Sequence, residues 1–318
     1  MLLEESSNQL TQRGTNISRR FLAVACILST ASGAHAQNRG VYPLGMSALN
    51  SGITPTPGFT YTNQFLYYSR DEATDDHGNT LPVTGQNYVA MDMNSLVWVT
   101  SNKPILGARY SATATLPFAK NDLTSDLQGN ISGGAGFADS YYMPLILGWS
   151  ADRFGARAIY GFLAPTGRYV AGGTDNVGSG YWTHALSSGQ TFYLTKDKML
   201  TFSAFEMYEF HTTQEGTQTH PGDTFDLDYS LLTPIPRTNR RLQFGLAGYE
   251  ARQVTAKTGP QITPADSETR YAINSLGFAL SAAFPKQKAS LGFKFFDEFA
   301  DRSTYEGFSI QVQGAIHF

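Results

Sequence analysis

Hydrophobic and polar residues alternate with a period of two along much of this chain. At its end, Phe308, Ile310, Val312, Gly314, Ile316 and Phe318 share one face, and Ser309, Gln311, Gln313, Ala315 and His317 share the other. In 106–118, Leu106, Ala108, Tyr110, Ala112, Ala114, Leu116 and Phe118 alternate with Gly107, Arg109, Ser111, Thr113 and Thr115. In 224–233, Phe225, Leu227, Tyr229 and Leu231 alternate with Asp226, Asp228 and Ser230, and Leu291, Phe293 and Phe295 do so with Ser290, Gly292, Lys294 and Phe296. Successive side chains of a strand point to opposite faces, so each segment carries one greasy and one mostly polar face. A half-buried strand of a soluble sandwich alternates the same way, so the pattern alone leaves sandwich and membrane barrel both open.

The spacing of the segments separates the two. Strands are predicted near 59–70, 88–100, 106–118, 138–149, 155–164, 181–194, 199–211, 223–233, 240–252, 269–284, 288–299 and 306–318. The gaps between them alternate. Those at 71–87, 119–137, 165–180, 212–222, 253–268 and 300–305 are the long set, and those at 101–105, 150–154, 195–198, 234–239 and 285–287 the short set. Outer-membrane barrels have even strand numbers, short periplasmic turns and longer external loops, whereas a sandwich has no reason to sort its connections. A tilted spanning strand needs about 9–11 residues, which every candidate supplies. The expected fold is all-β: a closed transmembrane antiparallel barrel of about twelve strands over 59–318, with both termini periplasmic.

The N-terminal end agrees with export. Arg19 and Arg20 precede the apolar run 21–28 and the Ala34-His35-Ala36 site, the layout of a secretory signal peptide. Residues 1–36 are therefore expected to be removed. The polar stretch 1–17 reads as a long leader or an over-extended start. Residues 37–58 contain Pro43, Pro55 and Pro57 and cannot form a central strand. They form either a periplasmic tail or a segment folded into the lumen. The expected location is the outer membrane of a Gram-negative cell.

Composition removes other classes. The net charge is -3 without a basic cluster, so nucleic acid is not an expected partner. Cys26 is the one cysteine and lies in the leader, so the mature chain has no disulfide or thiolate chemistry. No Gly-x-Ser-x-Gly, His-Glu-x-x-His or phosphate-loop motif occurs, and no cofactor is expected.

With the greasy face outward, Arg109, Arg157, Asp226, Asp228, Lys294 and Glu298 are expected to line the lumen. They form either a polar constriction or charges that pair and close it. The loop with Pro165, Gly167, Gly172, Gly173 and Trp182 is a gate or an ordinary exposed loop. His211, Glu215, His220 and Asp223 could supply metal ligands, though at no established spacing, and Asp75-Asp76-His77 reads as a solvated turn. His184 with Ser187 or Ser188 is the local pair that a phospholipase-type site would need, and a third member is lacking.

Several segments carry a resemblance. They are 42–45 (Tyr-Pro-Leu-Gly), 55–61, 136–144, 164–169, 176–182, 225–230, 245–250, 253–255 and 294–299, together with the terminal Phe318. In order and spacing they resemble a family of outer-membrane transporters linked to the meta-pathway of phenol degradation. The resemblance implies passive passage of small hydrophobic compounds, aromatics among them, with outer-membrane lipids and the barrel assembly machinery as partners. It carries over no binding residue and no enzymatic activity. A structural or adhesive barrel is the alternative, and a phospholipase-type barrel a more distant one. Phe318 is the expected assembly signal. Its deletion is expected to lower the amount of inserted protein several-fold while leaving the pore of inserted molecules unchanged, as read by surface labelling beside single-channel recording.

Overall fold

Alternating segments this long can bury one face only by closing on themselves, and they do. The computed structural model describes residues 40–102, 105–126 and 129–318; the leader at 1–36, with Cys26 and the Ala36 cleavage site, lies outside the described residues. The strands are β1 (Gly58–Thr74), β2 (Thr80–Val99), β3 (Arg109–Ser125), β4 (Gly129–Phe137), β5 (Ser140–Ser150), β6 (Phe154–Ala164), β7 (Thr183–Tyr193), β8 (Thr201–His211), β9 (Thr224–Pro234), β10 (Leu242–Gln253), β11 (Ala272–Phe284), β12 (Ala289–Glu298) and β13 (Tyr305–His317). Apart from β4 and β5, consecutive strands pair antiparallel, and β1 also pairs with β13, from Thr60 opposite His317 to Ala73 opposite Tyr305. Both β4 and β5 pair with β3, β4 along Phe118–Ser125 and β5 along Arg109–Thr115. They are two halves of one stave, interrupted at Ala138 and Asp139, so the closed ring has twelve staves.

The two faces sort as the alternation requires. On β13, Val312 and Ile316 are 44% and 48% exposed, while Ser309 and Gln311 are buried. On β9, Thr224, Asp226, Asp228 and Ser230 are buried and Phe225 and Leu231 exposed. Polar clusters interrupt the greasy outer face on β1–β2 and on β7–β8. Asn63, Asp92 and Asn94 meet on β1 and β2, where Asn63 Nδ2 donates to Asp92 Oδ1 at 2.6 Å and Asn94 Nδ2 donates to Asp92 Oδ2 at 2.9 Å. On β7 and β8, Ser188 Oγ and Gln190 Nε2 donate to Glu206 Oε2 at 2.7 and 3.0 Å. Each group supplies its own partners, as polar groups facing hydrocarbon must.

The loop reading needs correction at two of its six long gaps. Residues 71–87 and 119–137 are mostly strand: β1 and β2 run on to a turn at 75–79, β3 runs to Ser125 and β4 starts at Gly129. Over its 20 residues β2 reaches about 65 Å at ~3.3 Å per residue, well beyond the ~30 Å hydrocarbon core. Above the membrane both faces meet water, so the greasy alternation stops while the hydrogen-bonded pairing continues. The four glycines of β4 read as loop for the same reason, yet Gly134 lies where the backbone of Asp175 packs against the strand.

The turn at 75–79 is built by Asp75, whose Oδ1 accepts from the backbone N–H groups of His77 and Asn79, both at 2.8 Å. The Asn79 side chain, donating to Oδ2, is the main cause holding the Asp75 carboxyl below its ordinary value. The remaining long gaps are true connections.

Because the outer face meets lipid, Val312→Arg, which faces outward between Phe65 and Phe293 in register, is expected to cost about 2–4 kcal/mol of unfolding free energy in bilayers. Urea unfolding in liposomes measures it; a change below 0.5 kcal/mol would contradict the outward assignment, on the same scale.

Candidate functional site: the lumen and its plug

Irregular backbone inside a barrel must find a partner for each polar group. Residues 40–57 are such a segment, and the inward side chains of the wall supply those partners. Asp228 takes three donors: the Tyr42 hydroxyl at 2.6 Å and the Ser47 N–H at 2.9 Å on Oδ2, and the Gly45 N–H at 2.8 Å on Oδ1. Lys294 Nζ donates to the carbonyls of Gly45 and Met46 at 2.7 and 2.9 Å. Gln311 Nε2 donates to the Leu44 carbonyl, Ser230 Oγ to that of Ala48 and Arg157 Nε to that of Ser51. Thr191 Oγ1 accepts from the Gly52 N–H at 3.0 Å, and Glu209 Oε2 from the Val41 N–H at 3.1 Å. The segment is thus tied to β6, β7, β8, β9, β12 and β13.

Apolar side chains of the segment anchor it as well. Ala48 is wholly buried with Leu232, Tyr249, Ile273 and Phe296. The Tyr42 ring lies 5.6 Å from that of Phe205, beside Ile146, Ile159 and Met207. Met46 packs on Leu66 and Met93 of the opposite wall. The segment therefore crosses the ring from side to side as an internal plug segment.

Three wall glycines make its bed. A Cβ at Gly148 would strike Thr54, one at Gly155 would strike Gly52, and one at Gly189 would strike the Ser51 carbonyl. Glycine weakens a strand, and its place here is where another backbone must come close.

The six residues expected to line the lumen have different roles. Asp228, Lys294 and Arg157 hold the plug. Glu298 forms a bidentate pair with Arg70, Nε to Oε2 at 2.6 Å and Nη2 to Oε1 at 2.5 Å, and also accepts from the Tyr249 hydroxyl at 2.9 Å. Asp226 is buried, with Oδ2 unpartnered, and Arg109 is half-buried with Nε unpartnered. Asp228 and Lys294 meet through the plug backbone at Gly45, while Arg109 stands outside that group.

Sequence reasoning passed over Arg70, Glu209, Tyr249 and the plug's own Tyr42. The inward face of β8 carries Phe205, Met207 and Glu209 together, so no polar stripe marked it. The usable signal was proline-rich chain ahead of β1 facing strands that carry glycine on their inward side.

The other sequence candidates are placed as follows. Asp139 straps the loop of Gly167 and Trp182, its carboxylate accepting from Gly167 N–H, Ser179 N–H and Ser179 Oγ at 2.6–2.9 Å. His211 is bound by Thr183 and lies 3.9 Å from Glu209, and the His220 backbone pairs with Thr258. Among the described residues, the one close group of three or more His, Cys, Asp or Glu ligand atoms is Asp75, Asp76 and His77, the turn already described. His184 faces outward with Nδ1 3.0 Å from the Tyr160 hydroxyl, Ser187 faces inward, and Ser188 serves Glu206.

Twelve antiparallel staves and a greasy outer face define an outer-membrane β-barrel. The chain belongs to the family described as "Putative MetA-pathway of phenol degradation", whose model matches residues 70–313. Its fold is similar to that of the COG4313 outer membrane channel from Pseudomonas putida F1, with a TM-score of 0.72 at 11% identity over 88% of this chain and all of that one. It is less similar to the β domain of the Bordetella autotransporter BrkA, with a TM-score of 0.52 at 12% identity over 82% of this chain and all of that one. No curated protein matches by sequence.

If residues 40–57 close the lumen, removing 41–54 is expected to raise single-channel conductance in planar bilayers several-fold. Gly189→Val is expected to give intermediate, noisy openings, because its side chain displaces Ser51. Conductance unchanged in both variants would show that the plug does not limit the pore.

Proposed function

We propose that this protein is a passive outer-membrane channel for small hydrophobic compounds, aromatics among them, in which the plug sets what passes. The observation that carries the reading is the plugged cross-section, where Tyr42, Phe205, Met207, Ile146 and Ile159 offer an apolar surface inside a barrel. A channel for hydrophilic solutes needs a wet, polar path, and this lining would strip such solutes of water at a cost. The family description and the fold shared with the Pseudomonas outer membrane channel support the same reading.

The barrel is delivered by its leader at 1–36 and inserted by the assembly machinery through Phe318. Its termini lie on the periplasmic side, the side of the short turns, with outer-membrane lipid around it. It works without enzymatic chemistry: Ser187 lies on the opposite face of β7 from His184, and Ser188 Oγ is committed to Glu206.

The test is initial uptake of labelled toluene and phenol at micromolar concentration by cells with and without the chain, with a hydrophilic sugar as control. Uptake of the aromatics is expected to fall several-fold without the protein and that of the sugar to stay level. Equal aromatic uptake in both strains would sink the channel reading and leave the structural one.

A further inference from the structure

Charge is not spread evenly over this barrel. The short turns at 194–200, 235–241 and 285–288 follow one another along one rim and carry seven Lys or Arg residues against one Asp, in a chain whose net charge is -3. Lys198 is paired with Asp152 at 2.7 Å, and Arg240 lies near Asp197. Arg241, Lys286 and Lys288 are exposed, and among the described residues none of the three has an acidic partner. The Ala283 N–H donates to the Arg241 carbonyl at 2.8 Å, and the His317 N–H donates to the Lys288 carbonyl at 2.9 Å. The backbones that carry the three cations are thus gathered where β10, β11, β12 and β13 meet the rim.

An apolar groove of about 500 Å³ begins at the same place, on the lipid-facing surface of β11, β12, β13 and β1. Phe284 and Gln287 of the cationic turn line one end of it, and Leu291 and Ile316, both about half exposed, line its length. Its floor is Gly314, in register with Asn63 on one side and Leu291 on the other. A Cβ on Gly314 would meet nothing nearer than a Leu291 methyl at 3.5 Å, so the groove is the space that a side chain leaves empty there. Exposed Phe59, Trp98 and Phe284 at this end of the strands mark the level of the membrane interface. The turns therefore lie at headgroup depth and the groove among the acyl chains. Clustered cations at a membrane surface attract anionic lipid and hold a phosphate by charge-assisted hydrogen bonds. A groove in the lipid face holds a chain segment by packing.

We propose that Arg241, Lys286 and Lys288, with the groove over Gly314, seat one anionic phospholipid of the periplasmic leaflet. Its phosphate rests on the cations and an acyl chain lies along Leu291 and Ile316. The inference rests on the periplasmic placement of the short turns and is independent of what the lumen carries. The seat spans the seam at which β13 closes on β1, so the lipid binds only the closed ring and stabilises it by mass action.

Native mass spectrometry of the full chain in neutral detergent, titrated with phosphatidylglycerol, phosphatidylcholine and inorganic phosphate, tests the seat. Phosphatidylglycerol is expected to bind about tenfold more tightly than phosphatidylcholine, and equimolar inorganic phosphate is expected not to displace it. Changing Arg241, Lys286 and Lys288 together to Gln is expected to abolish the preference and leave phosphatidylcholine binding as it was. Gly314→Leu, which fills the groove, is expected to weaken both lipids several-fold. Lys196→Gln, on the same rim but away from the groove, is expected to change neither. Heat-shifted migration on gels confirms that each variant is a barrel, and if Gly314→Leu does not assemble, the variants in the exposed turns decide alone. Equal binding of the two lipids to the wild type, displacement by inorganic phosphate, or a loss in Lys196→Gln as large as in the triple variant overturns the seat. Sidedness is read separately. Lys286→Cys is expected to resist an impermeant maleimide on intact cells and to react after osmotic shock. Labelling on intact cells overturns the periplasmic placement, and with it the leaflet, whatever the titration shows.

Discussion

In hydrocarbon no backbone N–H or C=O can be left open, and that constraint organises this molecule. A sheet with a free edge would present a row of such groups to lipid, so β1 must find β13. Closure then fixes which face of each stave looks inward. A slip of one residue at any seam would turn Val312, Ile316 and their neighbours into the lumen and Gln311 and Lys294 toward lipid. The polar breaks in the outer face obey the same rule by a local route. Asp92 and Glu206 gather amide and hydroxyl donors from their own and adjacent strands, so neither carboxylate faces hydrocarbon without partners.

The rule extends to the interior, where it explains the plug. Residues 40–57 have no ladder of their own, so their amides and carbonyls are met by Asp228, Lys294, Gln311, Ser230, Arg157 and Thr191. Asp228 is the centre of this arrangement, since one carboxylate takes a hydroxyl and two backbone donors. Charges that would be costly inside a small barrel thus become partners for another buried backbone, and Arg70 and Glu298 neutralise each other above it. The wall glycines at 148, 155 and 189 complete the fit by letting the segment lie directly on the strands.

How much of this was legible depended on periodicity. Thr224–Pro234 and Tyr305–His317 were readable because one of their faces meets lipid and the other polar groups. β8 was expected as a strand at 199–211, but which of its faces looks inward was not readable, because the plug brings apolar side chains to Phe205 and Met207 and both faces of that strand become greasy. The extensions of β1 to β4 were hidden for the opposite reason: both faces meet water, and glycine-rich polar sequence looks like loop although it is paired. Arg70 lies at the edge of the greasy alternation in β1, and nothing local to it names Glu298 as its partner.

The sequence by itself determined the container. A dyad pattern repeated with sorted gaps admits a closed barrel and little else, because lipid imposes that pattern residue by residue. The tertiary structure decided what fills the container. Whether 40–57 hangs free or enters the lumen, and which inward charges hold it, depends on contacts between residues more than 100 positions apart, as with Arg157 and Ser51, 106 positions apart, and Tyr42 and Asp228, 186 apart. No local pattern encodes such pairings; they exist only once the ring has closed and brought the segment beneath the far wall.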